Sequence, residues 1–353
     1  MMILGLVLYI DMDYFFAACE ELRHPELKSK AFVVGTSTIA KKERGVVQTC
    51  NYEARKFGIH SAMPTAQALW LKPDFVYLES DDEYYSLVSE RVMALLKGYG
   101  FATEIVSIDE AALDLGEIGY GAAEELAKRV KKEIKDRIGL PCTIGISTGK
   151  NYAKIICDDS KPNGIGILKE GDIVPYLKGK SVEKMLGVGR KTAERLALMH
   201  IEKIGDIASA DPNILVEKLG GFGKELYLLA KGIDNSKVVE SSSVLSVGRE
   251  RTLERESKGM QDIEKTLMEL SKEVAKELER QGLWFKGVSV KARYSDFTER
   301  IKNRKLNNYT DSLDTLYSTA IRLMKELVKE KYVRKVGVRT YILEKRTGQR
   351  KIF

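Results

Sequence analysis

The chain has few of the side chains that build metal cages, triads or disulfide frameworks. Its 353 residues include four cysteines and three histidines. Cys19, Cys50, Cys142 and Cys157 form no Cys-x-x-Cys pair, and His24, His60 and His200 are isolated from one another. A structural zinc site and a histidine-based triad are therefore not expected, and the cysteines read as buried, reduced thiols. Long apolar runs are also missing. The longest fall well short of a bilayer span, and the Ile3–Ile10 run has neither a basic leader nor a small-residue cleavage site. A soluble, cytoplasmic protein without a membrane partner is expected. Glutamine and asparagine number only five and eight while 31% of residues are charged, a balance in the direction of heat-adapted proteins.

A length of 353 residues exceeds what one core usually fills, so several domains are expected. The net charge of +7 is unevenly spread. Residues 246–353 hold 26 Lys+Arg against 16 Asp+Glu, whereas residues 1–245 hold 32 against 35. A basic C-terminal part beside a slightly acidic body suits a protein that grips a polyanion with one part and does chemistry with the other. Solvated surface charge would produce the same count.

Ile3–Ile10 is a short apolar run that ends at Asp11 and Asp13, the pattern of a buried strand delivering a carboxylate to a sheet edge. Thr103–Leu115 reads as strand, turn, strand, with Asp109-Glu110 at the turn. Three carboxylates at two strand ends repel one another unless a multivalent cation lies between them. All-oxygen donors favour magnesium or manganese. Asp13 is read as the cap of the following helix.

Asp11-Met-Asp-Tyr-Phe-Phe16, Asn51-Tyr-Glu-Ala-Arg55 continuing to Pro64, Ser107-Ile-Asp-Glu110 and Lys161-Pro-Asn-Gly164 occur in order. Together they resemble the motif set of the Y-family, translesion DNA polymerases, in the DinB or DNA polymerase IV branch and its archaeal form. The resemblance implies an α+β, multidomain right-hand polymerase. Its parts would be a palm with a ferredoxin-like split βαβ sheet (1–10 and 78–166), fingers (11–77), a helical thumb with a helix-hairpin-helix (167–232), a linker (233–245) and a C-terminal α/β little finger (246–353). It implies template-directed addition of dNTPs to a primer 3′-hydroxyl by two-metal phosphoryl transfer, with low fidelity and no proofreading. Asp11, Asp109, Glu110 and the Met12 carbonyl would hold two Mg2+ ions, with Mn2+ able to substitute. Tyr14, Phe15, Phe16, Thr49, Tyr52, Arg55 and Lys161 would bind the nucleotide. Phe16 would sit under the ribose C2′ and select deoxyribose. Gln48 and Ala112 depart from the pattern, which implies a small residue facing the nascent base pair at the first position and an aromatic beside the primer end at the second.

Elsewhere, helices are expected at Asp13–Leu22, Tyr52–Phe57, Met63–Leu71, Asp81–Lys97 and Gly121–Ile138, and strands at Ala31–Val34, Val46–Cys50 and Cys142–Ser147, with helices on one sheet face and the other face bare. Lys41–Gly45 reads as an exposed turn. Gly145-Ile-Ser-Thr-Gly-Lys150 is one residue too short for a phosphate loop. Leu186-Gly187-Val-Gly189-Arg190 between two short helices suits backbone contact with DNA phosphate. Lys231–Leu245 is the linker candidate. Lys291, Arg293, Arg300, Lys302 and Arg304 alternate along two strands, which would set them on one sheet face along a phosphate backbone. Gln349–Phe353 begins like a sliding-clamp peptide but ends before its aromatic pair. The partners expected are thus primer–template DNA, dNTPs and a clamp, with the protein a monomer. A nucleotidyl cyclase and a non-catalytic, polymerase-like DNA-binding accessory factor are the rivals. The first needs no basic appended domain, and the second should lack a metal carboxylate.

Overall fold

The computed structural model describes residues 5–37, 45–240, 244–328 and 331–346. The chain divides into two compact units, Met1–Ser241 and Ser242–Phe353. Among the described residues no helix is long and apolar enough to cross a membrane.

The first unit is built on β1 (Leu6–Met12), buried along its whole length. A strand buried at every position is covered on both faces. Leu8, Ile10 and Met12 join a core that includes residues of α1 (Phe15–Arg23), α4 (Asp82–Lys97) and α5 (Tyr120–Arg137). Val7 and Tyr9, pointing the other way, pack with Ala153 and Cys157 of α6 (Lys150–Asp159). The face expected to be bare therefore carries a helix. Gly145 is what lets that helix settle, because a Cβ there would lie 2.0 Å from the Ala153 carbonyl oxygen. The sheet runs β5-β6-β1-β7-β8, with β5 Ala102–Ile105, β6 Glu110–Gly116, β7 Cys142–Ser147 and β8 Ile165–Ile167. On α4 the buried residues are Tyr85, Val88, Ser89, Val92, Met93 and Leu96, while Leu87 is exposed.

A three-stranded sheet, β3-β2-β4, is formed by β2 (Phe32–Gly35), β3 (Val47–Cys50) and β4 (Val76–Glu79). It is flanked by α2 (Tyr52–Arg55) and α3 (Thr65–Leu71). The sequence did not call for β4, and the expected helix over Tyr52–Phe57 is a single turn. The Lys41–Gly45 turn lies outside the described residues, apart from Gly45. Downstream, α7 (Ile173–Lys178), α8 (Arg190–Ala197), α9 (Ile204–Ser209), α10 (Pro212–Leu219) and α11 (Gly221–Ala230) share a core of Leu196, Ile204, Leu215 and Leu226. Gly187 takes a left-handed φ of 82° between the elements of the expected hairpin, and Gly189 is the N-cap of α8.

Residues 231–240 have no helix or strand, but they are not a free linker. The Asp234 carboxylate accepts from the Asn151 backbone N–H at 2.8 Å, and the Val239 N–H donates to Glu104 at 3.0 Å. Ser241–Ser243 lie outside the described residues.

In the second unit the sheet order is β11-β10-β12-β9, from β9 (Ser246–Ser257), β10 (Leu283–Tyr294), β11 (Glu299–Thr310) and β12 (Val333–Lys345). Residues of α12 (Met260–Arg280) and α13 (Leu313–Lys325) share its core with Val288, Val290 and Ala292. The register corrects one expectation. Arg300, Lys302 and Arg304 lie opposite Ala292, Val290 and Val288, whereas Lys291 and Arg293 lie opposite Ile301 and Glu299. Directly opposed residues share a face. The first three basic residues are thus on the helix side, where Lys302 pairs with Glu326, and the other two are on the open side.

Candidate active site

Asp11 is the penultimate residue of β1 and lies opposite Glu110, the first residue of β6. The Met12 N–H donates to the Asp109 carbonyl at 2.9 Å, which draws the β5–β6 turn onto the end of β1. Antiparallel pairing thereby brings Asp11 and Asp109-Glu110 together across about a hundred residues of sequence. Lys154, in the middle of α6, closes the group. Its Nζ lies 3.0 Å from Asp11 Oδ2, 2.6 Å from Glu110 Oε1 and 2.8 Å from Asp158 Oδ1. Lys161 Nζ adds a second contact to Asp11 Oδ2, at 2.6 Å. The Tyr9 hydroxyl donates to the other Glu110 oxygen at 2.7 Å. Asp109 instead accepts from Ser107 Oγ at 2.6 Å.

Burial, with the Glu110 carboxyl alongside, pushes Asp11 up to about 7, against the pull of the two lysines. Burial disfavours a charged Lys154, yet the carboxylates around it outweigh that and hold it protonated. As the side chains stand, no three Asp, Glu, His or Cys groups among the described residues converge closely enough to hold a metal ion. Two ammonium groups crowd one Asp11 oxygen, and Asp109 is turned to its own serine. The ammonium groups show that these oxygens demand positive charge, and an all-oxygen set of this kind fits a hard divalent cation.

A cavity of about 260 Å³ opens on these acids. Asp11, Met12, Asp109 and Glu110 line it together with Tyr14, Phe15, Phe16, Thr49, Arg55 and Lys161. Tyr52 stands one layer back, its ring edge-on to Tyr14 at 4.9 Å with the Arg55 guanidinium 5.1 Å above it. Tyr14 takes a left-handed φ of 40°, a costly conformation for an aromatic residue, at the turn from β1 into α1. Phe16 stacks on Tyr85 of α4, with centroids 4.6 Å apart and 17° between planes. Ser61 and Gln48 complete the lining.

Asp13 does not cap α1. That helix begins without a side-chain cap, and the Asp13 carboxylate, 1% exposed, accepts from Thr143 Oγ1 and the Asn163 N–H, each at 2.8 Å. It ties β1 to β7 and to the Lys161–Gly164 loop, and so places Lys161. Gly164 is required in that loop, since a Cβ would lie 2.1 Å from the Ser160 carbonyl oxygen. Lys154, Tyr9, Ser61 and the role of Asp13 are parts of the site that the sequence did not reveal. The expected DNA-contacting residues lie apart from the cavity lining. Gly187, Gly189 and Arg190 are in the helical part of the first unit, and Arg190 pairs with Glu194 at 2.8 Å. Lys291, Arg293, Arg300, Lys302 and Arg304 are in the second unit. The clamp-like Gln349–Phe353 lies outside the described residues.

Residues 10–158 match the impB/mucB/samB family, and residues 244–352 match its C-terminal domain. The chain is 37% identical over 340 residues to the DNA polymerase IV of Methanoculleus marisnigri, spanning 96% of this chain and 94% of that one. It is 38% identical over 335 residues to the DNA polymerase IV of Lactococcus lactis subsp. cremoris, spanning 94% and 91%. Among solved structures it resembles a Y-family DNA polymerase chimera, Dbh-Dpo4(243-245)-Dbh, with a TM-score of 0.90 at 32% identity, covering 97% of this chain and all of the other. With both parts of the family matched and the likeness running through nearly the whole length, the chain belongs to the impB/mucB/samB family, the Y-family DNA polymerases.

Proposed function

We propose that the chain is a DNA-directed DNA polymerase of the translesion type, which adds deoxynucleotides to a primer 3′-hydroxyl on a template strand and releases pyrophosphate. The carrying observation is the single cavity in which Asp11, Asp109 and Glu110 meet Phe16, Arg55 and Lys161. Acids for cations, bases for a triphosphate and a ring for a sugar are what nucleotidyl transfer needs within one nucleotide's length. A cyclase would leave the basic second unit unused, and an accessory factor would have no need of all three acids.

Asp11, Asp109, Glu110 and the Met12 carbonyl are the groups that would hold two Mg2+ ions, or Mn2+ in their place. The chemistry supplied by such ions is a lowered pKa for the attacking hydroxyl and neutralised charge on the attacking and leaving oxygens. Arg55 offers a forked donor and Lys161 a point charge to the triphosphate. Thr49 and Tyr14 line its path, with Tyr52 packed behind Tyr14. Phe16, held flat by Tyr85, leaves no room for a 2′-hydroxyl. The Lys154 ammonium favours the ionised forms of the buried carboxylates and holds them in place.

On this reading the five-stranded sheet is the palm (1–10 and 78–166), the small sheet the fingers (11–77), the helical cluster the thumb (167–232), 233–245 the linker and the second unit the little finger (246–353). Primer–template DNA is gripped by the Gly187–Arg190 hairpin and the basic second unit, and one copy of the chain suffices.

The test is extension of a labelled primer–template with four dNTPs and magnesium, comparing wild type with Asp109→Ala. Extension by the wild type alone supports the proposal. No extension by either, with duplex binding intact, refutes it in favour of an accessory factor.

A further inference from the structure

Gln48 is out of step with its strand. β3 pairs with β2 as Val33 with Cys50, Val34 with Thr49 and then Gly35 with Val47, so Gln48 is an extra residue with no partner on β2. This is a β-bulge, which breaks the alternation of a strand and re-aims side chains. Its consequence is visible in the cavity, where the consecutive residues Gln48 and Thr49 both line the wall. In an unbulged strand one of them would face away. The bulge is held from the other side, where the Val47 N–H donates to the Met63 carbonyl at 2.9 Å and the Val47 carbonyl accepts from the Ala62 N–H at 2.8 Å.

The side chain that the bulge brings to the cavity wall carries an unsatisfied amide oxygen. Gln48 Oε1 is shielded from solvent and has no hydrogen-bond partner among the described residues. An amide oxygen in that state costs free energy, and its last torsion is soft enough to turn toward a donor that enters the cavity. The occupant is a nucleotide, on the polymerase reading above, on which this inference rests. Asp11 and Lys161 mark where its phosphates lie and Phe16 its sugar. The donors left for Gln48 are the N–H groups of the base being paired. Base edges differ in where they present donors, so such a contact discriminates among base pairs.

We propose that Gln48 is a specificity-determining residue whose bulge-presented amide hydrogen-bonds the nascent base pair and makes insertion efficiency depend on which pair is formed.

The full-length chain, with a primer–template and magnesium, is assayed for single-nucleotide insertion at each of the four correct pairs, as wild type, Gln48→Met and Gln48→Ala. Methionine keeps the length and removes the amide, whereas alanine removes both. A neutral hydrogen bond corresponds to about a two- to tenfold change. Both variants should lose about that much kcat/KM at some pairs and little at others. Removing a buried acceptor without a partner should leave the Tm of Gln48→Met unchanged or higher. Equal losses at all four pairs would overturn the proposal, as would a pair-dependent change in Gln48→Ala alone, which would make bulk the determinant. A lowered Tm in Gln48→Met would also overturn it by assigning the amide a structural role. If the wild type inserts no nucleotide at any pair, it is the polymerase reading that fails.

Discussion

Replacing Asp13 separates two roles that differ severalfold in energy. Had Asp13 capped α1, Asp13→Ala would cost about 1 kcal/mol and leave catalysis alone. In the structure its carboxylate serves the buried Thr143 hydroxyl and the N–H of the exposed residue Asn163, both at 2.8 Å. Hydrogen bonds to a charged group are worth about 1.5–3 kcal/mol each, and alanine strands the Thr143 hydroxyl away from water while leaving the Asn163 N–H without its loop-fixing partner. Against this stands the carboxylate's own burial cost, which the substitution removes. The expected loss is about 3 kcal/mol in the first unit. Asp13→Asn offers an acceptor to one donor but sets an N–H against the other, so it should lose roughly half as much. The Lys161–Gly164 loop is released in both variants, and KM for dNTP should rise about tenfold in Asp13→Ala with a smaller change in kcat. Calorimetry suits the measurement, because two compact units need not unfold together and the first transition is the one expected to move. A loss near 1 kcal/mol with KM unchanged would restore the capping role and refute the tie to the loop.

Phe16→Ala should reduce discrimination against ribonucleotides by at least tenfold while leaving dNTP insertion measurable, because the ring stacked on Tyr85 is the barrier to a 2′-hydroxyl; undiminished discrimination would show the barrier lies elsewhere. Lys154→Met leaves Asp11, Glu110 and Asp158 without the ammonium they share, which should cost about 3 kcal/mol in EDTA, and Mg2+ should raise the variant's Tm more than the wild type's. Equal shifts in the two proteins would count against a cation site there. Burial alone would raise the pKa of Asp159, but hydrogen bonds from Lys180, Lys184 and the Tyr176 hydroxyl bring it down to about 2. A folded-state pKa below the unfolded value of about 3.9 gives stability that is present above pH ~4 and lost as pH falls toward 2. Wild type should thus exceed Asp159→Asn by a constant margin above pH ~4, and the margin should close between pH 4 and 2; a margin that persists at pH 2 refutes the pairing.

What the sequence made legible follows from how far each signal reaches. Strands such as Leu6–Met12 and Cys142–Ser147 and helices such as Tyr120–Arg137 announce themselves by apolar spacing within a dozen residues. The candidate site was legible for a different reason, since Asp11, Asp109-Glu110, Arg55 and Lys161 belong to four short motifs that occur in a recognisable order. The failures lie where the deciding partner is remote. Asp13 looks like a cap from its neighbours, and its partners are 130 and 150 residues away. Lys154 reads as an ordinary helical lysine until β1 and β6 set two carboxylates beneath it. Alternation along β10 and along β11 was read correctly strand by strand, but the face that each basic set shares depends on the register between strands. One residue of slip exchanges the faces. Gln48 is the same lesson in miniature. No local pattern marks a bulge, and the bulge is what turns a residue beside Thr49 into part of the same wall. A single extra residue in β3 thus sets Gln48 and Thr49 side by side on the cavity wall, and the register with the paired strand is what shows it.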